Sequence, residues 1–345
     1  MSSLGGYYIV RSEDFVYNPR ISTSAPVGPI NRNKLGRIGV MSPLYTVFRP
    51  HDIDTTYLEY FFKSKYWHSF MNFNGDSGAR SDRFSIKDSV FFEMPIPIPH
   101  IDEQKKIGEY LAYLDRLITL HQRKYDKLTK VKKAMLEKMF PENGSPYPEI
   151  RFKGFTDAWE QRKLGEVVKE VTRNDSTSEA PIMMITANNG FIEQSERYAF
   201  NNAGESLKKY ILLEKGELAY NHGASKLRPY GSCFALTTAE NARIPFVYHC
   251  FSVENQNAEF MSIELNSSEI ENQLRKIVSS GARMDGLLNI SFDEYSSVSV
   301  VLPSIEEQDR IAGFLRNLDR LITLHQRKLE KLKNIKKACL EKMFV

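Results

Sequence analysis

Residues 99–140 of this chain recur as residues 303–344, and 27 of the 42 aligned positions are identical. The central run LDRLITLHQRK, Leu114–Lys124, returns without a change as Leu318–Lys328. A repeat of this kind indicates that one structural unit occurs twice in the chain. We therefore expect two similar heads, each followed by a copy of the same long helix.

Each copy of the repeat predicts a helix with a narrow apolar seam. Apolar and semi-polar residues are spaced alternately by four and three positions, which is typical of a coiled coil. The seam residues are Ile107, Leu111, Leu114, Ile118, His121, Tyr125 and Leu128, and then Ile311, Leu315, Leu318, Ile322, His325, Leu329 and Leu332. A helix of about 39 residues is about 58 Å long, so one small core cannot cover its seam. The two helices are expected to pair with each other in antiparallel orientation.

Two histidines, His121 and His325, lie on this seam at matching positions. A polar residue on a coiled-coil seam commonly fixes the register of the two helices. We expect that role here, and a metal site or a proton relay is the alternative.

Composition excludes several classes of protein. The 345 residues have a net charge of +4 and 41% hydrophobic content, which is ordinary for two globular domains. No apolar run approaches the roughly 20 residues that cross a bilayer, and the first residues do not resemble a signal peptide. The three cysteines show no metal-binding or pairing pattern. We expect reduced thiols, no metal, no membrane contact and a cytoplasmic location.

Basic charge is unevenly distributed. Each repeat holds ten Lys or Arg against six Asp or Glu, whereas residues 141–302 hold 16 cations and 22 anions. An acidic polymer must therefore bind at local patches. Residues 15–51 and 218–239 contain no Asp or Glu, and the two windows occupy matching positions in the two halves. A shared binding surface is the favoured explanation, and chance in a loop-rich region is the alternative.

Residue types in these windows suit nucleic-acid recognition. Arginine reads guanine and asparagine reads adenine in the major groove, whereas lysine and backbone amides hold phosphates. The candidate DNA-binding residues are Asn18, Arg20, Arg32, Lys34, Arg80, Arg83, Asn221, His222, Lys226, Arg228 and Arg283. Arg80 and Arg283 belong to a repeated SGAR tetrapeptide, and a structural role within that loop is the alternative for both.

The predicted fold class is α+β, with two mixed α/β heads separated by the two long antiparallel helices in a pseudo-two-fold arrangement. Apolar runs at 93–99 and 297–303, before the two long helices, favour short strands, and short helices are predicted at 56–69 and 268–278. The predicted domains are 1–98 for the first head, 99–140 for the first helix, 141–154 for a linker, 155–302 for the second head and 303–345 for the second helix.

No motif predicts catalysis. The chain lacks a phosphate-binding loop, a dinucleotide fingerprint and an H-E-x-x-H sequence. The acid-x-lysine spacing at Glu103–Lys105 resembles that of nucleases, but acidic residues are ordinary in a first helical turn. We predict no catalytic residue and no cofactor.

Three sequence features together resemble the DNA-specificity subunit of type I restriction–modification enzymes. They are the paired LDRLITLHQRK helices, the opening motif P-x-I-R-F-x-G-F-x-x-x-W at Pro148–Trp159, and the SGAR loops. The resemblance covers essentially the whole chain. It implies two target-recognition domains that each bind half of a split site in double-stranded DNA, with the helices as a spacer. It also implies a non-catalytic subunit that docks methyltransferase (modification) subunits and a restriction/translocase subunit.

The first head departs from this pattern. The second head has about 148 residues before its helix and the first about 98, so the alignment lacks about 50 residues, including an RFKGF-like motif. We expect a first target-recognition domain without its N-terminal part, in a truncated product, a rearranged fragment or a piece completed by another chain. The alternative function is a truncated interaction remnant that binds partner subunits through the helix pair without reading DNA.

If the helices act as a spacer, deleting one heptad from a single helix changes the number of base pairs allowed between the half-sites. The sequence motif methylated in cells that carry the variant measures that number. An unchanged spacing would contradict the spacer role.

Overall fold

The computed structural model describes residues 6–76, 82–142, 144–175, 177–187, 190–196, 204–278 and 287–344. Two compact units are formed: unit 1 comprises Met1–Lys127 with Ile322–Val345, and unit 2 comprises Leu128–Leu321. Each long helix is thus divided between the units, with α4 at Ile101–Lys138 and α8 at Ile305–Lys342. None of the described helices is long and apolar enough to cross a membrane.

Unit 1 places short helices on small antiparallel sheets. Its further elements are β1 Tyr8–Val10, β2 Phe15–Tyr17, β3 Ile30–Arg32, β4 Gly39–Met41, β5 Thr46–Phe48, α1 Thr55–Lys63, α2 Tyr66–Asn74 and α3 Asp88–Phe91. One sheet has the order β3-β2-β5, and β1 pairs with β4. The core lies between the three-stranded sheet and α1, with Phe15, Tyr57 and Phe61 buried.

Unit 2 repeats this plan and adds strands to it. Its further elements are β6 Glu160–Lys163, β7 Val168–Glu170, β8 Met183–Thr186, β9 Gly190–Glu193, β10 Ile211–Glu214, β11 Leu218–Asn221, β12 Ser232–Ala235, β13 Asn241–Ile244, β14 His249–Val253, α5 Ala258–Glu264, α6 Ser268–Ile277, α7 Phe292–Ser296 and β15 Ser299–Leu302. The largest sheet has the order β12-β11-β14-β7, and β10-β13, β8-β9 and β15-β6 form antiparallel pairs.

The predicted antiparallel pairing of the helices is confirmed within each unit. In unit 1, His121 of α4 contacts His325 of α8, and Asp115 pairs with Lys336. Earlier residues of α4 therefore meet later residues of α8. In unit 2, Lys132 pairs with Asp319. The seam residues Leu111 and Leu114 are buried in unit 1 and Leu315 and Leu318 in unit 2, while Ile118 and Ile322 are half-buried.

A buried glutamine joins each long helix to its head. Gln104 donates to the carbonyl of Pro99 and accepts the amide of Asp54, which is the N-cap residue of α1. Gln308 makes the same two hydrogen bonds, to the carbonyl of Pro303 and from the amide of Asn257, the N-cap of α5. The start of each helix is thus fixed against one end of the helix that packs beneath it.

Two local predictions for unit 1 are wrong. The predicted helix at 56–69 is two helices, because Ser64 is extended and its hydroxyl donates to the carbonyl of Phe61. The expected strand in residues 93–99 does not form. Pro95, Pro97 and Pro99 lack backbone N–H groups, and no described strand of unit 1 lies beside this run.

The histidine pair predicts a pH-dependent stability. The Nδ1 atoms of His121 and His325 are 2.8 Å apart, so at least one ring must be neutral for one nitrogen to accept. Burial and then nearby charge lower both pKa values, with Lys124 and Lys328 facing the pair. Because the folded-state pKa values are lowered, the contribution of the pair to stability is fully present above the unfolded pKa of about 6.5. This contribution is lost as pH falls through the folded-state pKa values.

We therefore expect the melting temperature to fall between about pH 7 and about pH 5, and to fall less in the H121N/H325N variant, whose amides keep a neutral hydrogen bond. Thermal unfolding monitored by circular dichroism measures this, with H51N as a control because His51 is exposed on a loop. Equal pH slopes in the double variant and the wild type would contradict the assignment.

Candidate nucleic-acid interface

The loop after the central strand has the same construction in both units. Tyr17 donates from its hydroxyl to the carbonyl of Val27, and Tyr220 donates to that of Tyr230. Gly28 has φ +82°, and a Cβ there would lie 2.2 Å from the carbonyl oxygen of Asn18, so only glycine fits. Gly231 has the matching geometry against Asn221. Each loop is therefore a fixed platform for the candidate residues that it carries.

Arg20 and Arg83 are brought together in unit 1. They face each other across an isolated antiparallel bridge, flanked by hydrogen bonds from Ile21 to Asp82 and from Phe84 to Pro19. Residues directly opposite in such a pair have neighbouring side chains, and like charges there repel. The Arg20 side chain is 67% exposed, and its pairing with Asp82 is long, at 3.9 Å. Two adjacent cations with this one long ion pair among the described residues have the charge that an anion such as a phosphate requires.

Two further basic candidates of unit 1, Arg32 and Lys34, are engaged inside the unit. The Arg32 guanidinium lies 2.7 Å from the carboxylate of Glu59 and 3.2 Å from that of Glu13, and its side chain is only 9% exposed. Lys34 bonds to both carboxylate oxygens of Glu59. Burial opposes ionisation of Glu59, but hydrogen bonds from Lys63 and Lys34 leave its pKa below the ordinary value. Arg32 and Lys34 therefore neutralise a buried acid.

Asn18 and Asn221 hold turns. The Asn18 side chain accepts the amide of Arg20, and that of Asn221 accepts the amide of Gly223 while donating to the carbonyl of Ile185. His222 is buried, and its two ring nitrogens lie 2.8 and 2.6 Å from the carbonyl oxygens of Leu288 and Val247. In this conformation both of its nitrogens are occupied by the backbone.

Lys226 and Arg228 have different surroundings in unit 2. Lys226 is exposed on the loop. Arg228 is half-buried, donates to the carbonyl of Asn266 at 2.8 Å, and has a buried Nε without a partner among the described residues. Lys226 is placed to meet a ligand from solvent, whereas Arg228 supports the loop. Arg80 and Arg283 lie outside the described residues.

Arg228 also lines a cavity of about 770 Å³ between the helices and sheet of unit 2. Glu264, which is 5% exposed, faces it and accepts the amide of Val301. Burial raises the pKa of Glu264 from 4.5 to about 7. The sequence offered no signal for this group, because the burial of a single glutamate at the end of α5 depends on contacts distant in sequence.

Comparison with known proteins places these features in one family. Residues 8–130 and 156–334 match the family described as type I restriction modification DNA specificity domain. The type I restriction enzyme MjaVIII specificity subunit of Methanocaldococcus jannaschii is 25% identical over 329 residues, which cover 88% of this chain and 73% of that protein. The MjaIX specificity subunit of the same organism is 25% identical over 313 residues, with 83% and 67% covered.

A solved structure shows the same fold. The crystal structure of the type I restriction–modification system S subunit from M. genitalium matches with a TM-score of 0.55 at 13% identity, covering 97% of this chain and 84% of that one.

Glu264 yields a prediction of its own. Since its folded-state pKa is raised, the folded protein keeps a proton that the unfolded chain releases above about pH 4.5, and stability falls as pH rises toward about 7. Replacing Glu264→Gln removes this penalty and keeps an acceptor for Val301. We expect stabilisation on the order of 1–3 kcal/mol at about pH 8 and almost none at about pH 4. Urea unfolding at the two pH values measures this difference, with Glu254→Gln as the control because Glu254 is exposed. An equal effect of Glu264→Gln at both pH values would contradict the prediction.

Proposed function

The chain belongs to the type I restriction–modification DNA specificity family, and from this premise we propose that its two units each read one part of a bipartite sequence in double-stranded DNA. The observation that carries the proposal is the repeated platform loop, which carries Arg20, opposite Arg83, in unit 1 and Lys226 in unit 2. Contacts with phosphates position a protein on DNA. A rigid loop that exposes cations is suited to make such contacts.

The roles within the platform follow from exposure and geometry. Arginine has five donors in a planar fork and can contact either a phosphate or the O6 and N7 atoms of guanine. We assign Arg20 and Arg83 to DNA contact in unit 1, and Lys226 to a phosphate. Asn18, Asn221 and Arg228 support the loops, and Arg32, Lys34 and His222 support the interior. Arg80 and Arg283 are retained as candidates from the sequence.

This function requires partners that supply the chemistry. The sequence predicts no catalytic residue or cofactor, so we propose that the chain is the non-catalytic subunit of a larger assembly. Modification subunits would carry the methyltransferase activity, and a restriction/translocase subunit would carry ATP-dependent cleavage. The chain would direct both to the sequence that it reads.

One observation favours a second candidate, an interaction protein that no longer reads DNA. In unit 1 two of the four basic candidates that the structure describes, Arg32 and Lys34, are bound to Glu59. If Arg20 and Arg83 are not sufficient for DNA binding, unit 1 would contribute only protein contacts through its helices. Selection of bound duplexes separates the two candidates, because only a reader enriches a sequence.

The test uses the full chain with its modification subunits and a pool of randomised duplexes. We expect enrichment of a bipartite motif. In the R20A/R83A variant we expect the half of the motif read by unit 1 to lose definition, and each base that is no longer read should weaken binding by about 1–3 kcal/mol. In K226A we expect weaker binding to all sequences and a salt dependence lower by about one charge.

Lys133→Ala is the matched control, since this lysine of α4 is exposed and pairs with Glu137 one turn away. Its binding curve and salt dependence should match those of the wild type. Tight binding of the modification subunits with no enriched sequence would reject the reading function and favour the interaction protein.

A further inference from the structure

The cavity in unit 2 has a buried carboxyl group in its wall. Its volume of about 770 Å³ lies within the range of small-molecule sites, about 300–1,000 Å³. Glu264, the last residue of α5, lines the cavity and is 5% exposed. The Oε1 atom of Glu264 accepts the amide of Val301, whereas Oε2 makes no hydrogen bond with a described residue. One oxygen is therefore held by the backbone, and the other is left for a ligand.

The matching position of unit 1 is apolar. Counted from the N-cap residues of α1 and α5, Phe61 stands where unit 2 has Glu264. Phe61 is 1% exposed, and its ring centroid lies 5.9 Å from that of Phe344. In unit 2, Phe140 occupies the position of Phe344 and lines the cavity. Unit 2 therefore has a carboxyl group where unit 1 packs an aromatic ring against the matching neighbour.

Support of the backbone does not explain this carboxyl group. Val301 matches Pro97 in unit 1, which has no amide hydrogen and needs no acceptor. A glutamine at position 264 would also accept the amide of Val301, without adding an ionisable group. Burial opposes the ionised form of Glu264 and raises its pKa to about 7. A buried acid in a cavity, at a position where an amide would serve, is a candidate for binding.

The wall around Glu264 suits an apolar group. Ala235, Ala312 and Leu315 line the cavity, and each is at most 9% exposed. Leu136 and Thr237 also line it and are exposed, so a ligand can enter from solvent. An apolar lining with a small number of placed polar groups is typical of sites for small organic molecules.

Six of the charged side chains that line the cavity form ion pairs with one another. The pairs are Lys132 with Asp319, Arg316 with Glu259, and Lys133 with Glu137. Each pair is neutral as a whole, so these six side chains do not set the charge of a ligand.

The other charged side chains of the lining are Arg228, Glu142, Glu264 and Glu269. Arg228 donates to the carbonyl of Asn266. The negative charge of Glu269 adds to burial in raising the pKa of Glu264. Three acids against one base favour a cationic ligand, because a positive charge beside Oε2 would stabilise the ionised form of Glu264.

We propose that this cavity binds a small organic cation, an amine or amidine attached to an apolar group. The N–H groups of the cation would donate to Oε2 of Glu264, and the apolar group would pack against Ala235, Ala312 and Leu315. Hydrogen bonds between ionised groups are stronger than those between neutral groups. This inference goes beyond DNA reading and does not depend on it.

Three probes of nearly the same shape test the charge of the ligand. Benzamidine is cationic, benzamide is neutral and benzoate is anionic. Each is added to the full-length protein at about pH 8, and the methyl groups of alanine, leucine and valine are observed by NMR. With benzamidine we expect saturable shifts of the Ala235, Ala312 and Leu315 methyl groups. Benzamide should bind about tenfold more weakly or worse, and benzoate should not bind.

The affinity for benzamidine should rise with pH. The amidine stays protonated over this range, whereas Glu264 ionises around its pKa of about 7. Since the ionised form supplies the charge that holds the ligand, binding should strengthen by about tenfold from about pH 6 to about pH 8, which is the ratio of the ionised fractions. The affinity for benzamide should change little, because benzamide has no charge to pair.

The variant Glu264→Gln separates charge from shape. It keeps an acceptor for the amide of Val301 and is expected to stay folded. At about pH 8 it should weaken benzamidine binding by about tenfold or more, remove the pH dependence and leave benzamide binding within about twofold. Glu254→Gln is the matched control, since Glu254 is exposed and does not line the cavity. It should bind both probes like the wild type.

Four results would overturn the proposal. The first is the absence of saturable shifts up to about 10 mM benzamidine, since a ligand of this size that fits its site binds at least that tightly. The second is equal affinity for benzamidine and benzamide, and the third is benzamidine binding that Glu264→Gln leaves unchanged. The fourth is displacement of benzamidine by the purified modification subunit, which would identify a basic side chain of that protein as the occupant. No DNA is present in these measurements, so their failure is distinct from failure of the DNA-reading function.

Discussion

The apolar seam of the two long helices is the constraint on which both units depend. The core of unit 1 contains Leu111 and Leu114 of α4, together with Phe344 near the end of the chain. The core of unit 2 contains Met139 just after α4 and Leu315 of α8. Burial of apolar surface is the main force that drives folding. Neither core is complete until both helices have formed and paired, so each unit depends on residues about 200 positions away in the sequence.

The helices could be predicted because their seam is a local periodic signal, visible in one window of sequence. The division of each helix between two units could not be predicted from the sequence, because it depends on which half of the partner helix lies alongside. Two local predictions failed for different reasons. The chain is extended at Ser64, where α1 ends, and the proline run before α4 has no neighbouring strand among the described residues, whereas the matching run before α8 pairs with β6. A strand depends on its neighbour as much as on its own residues.

The candidate DNA-binding residues show the same limit of prediction from local sequence. Residue type and the absence of acids pointed to basic loops, and the structure brings two of those candidates, Arg20 and Arg83, together across a bridge. Acid-free windows did not reveal Glu59, which follows the first window by a few residues and folds back to bind Arg32 and Lys34. Charge counted along the chain cannot separate cations that face solvent from cations that neutralise a buried acid.

An internal repeat provides a comparison that a single domain lacks, since each position can be judged against its copy. Tyr7 and Tyr210 are the same residue at matching positions, as are Glu103 and Glu307, yet one member of each pair is exposed and the other is buried. Side-chain chemistry cannot explain the difference, so the neighbours must. The repeat therefore predicts residue type at matching positions, whereas the burial of each side chain depends on the chain segments that pack beside it.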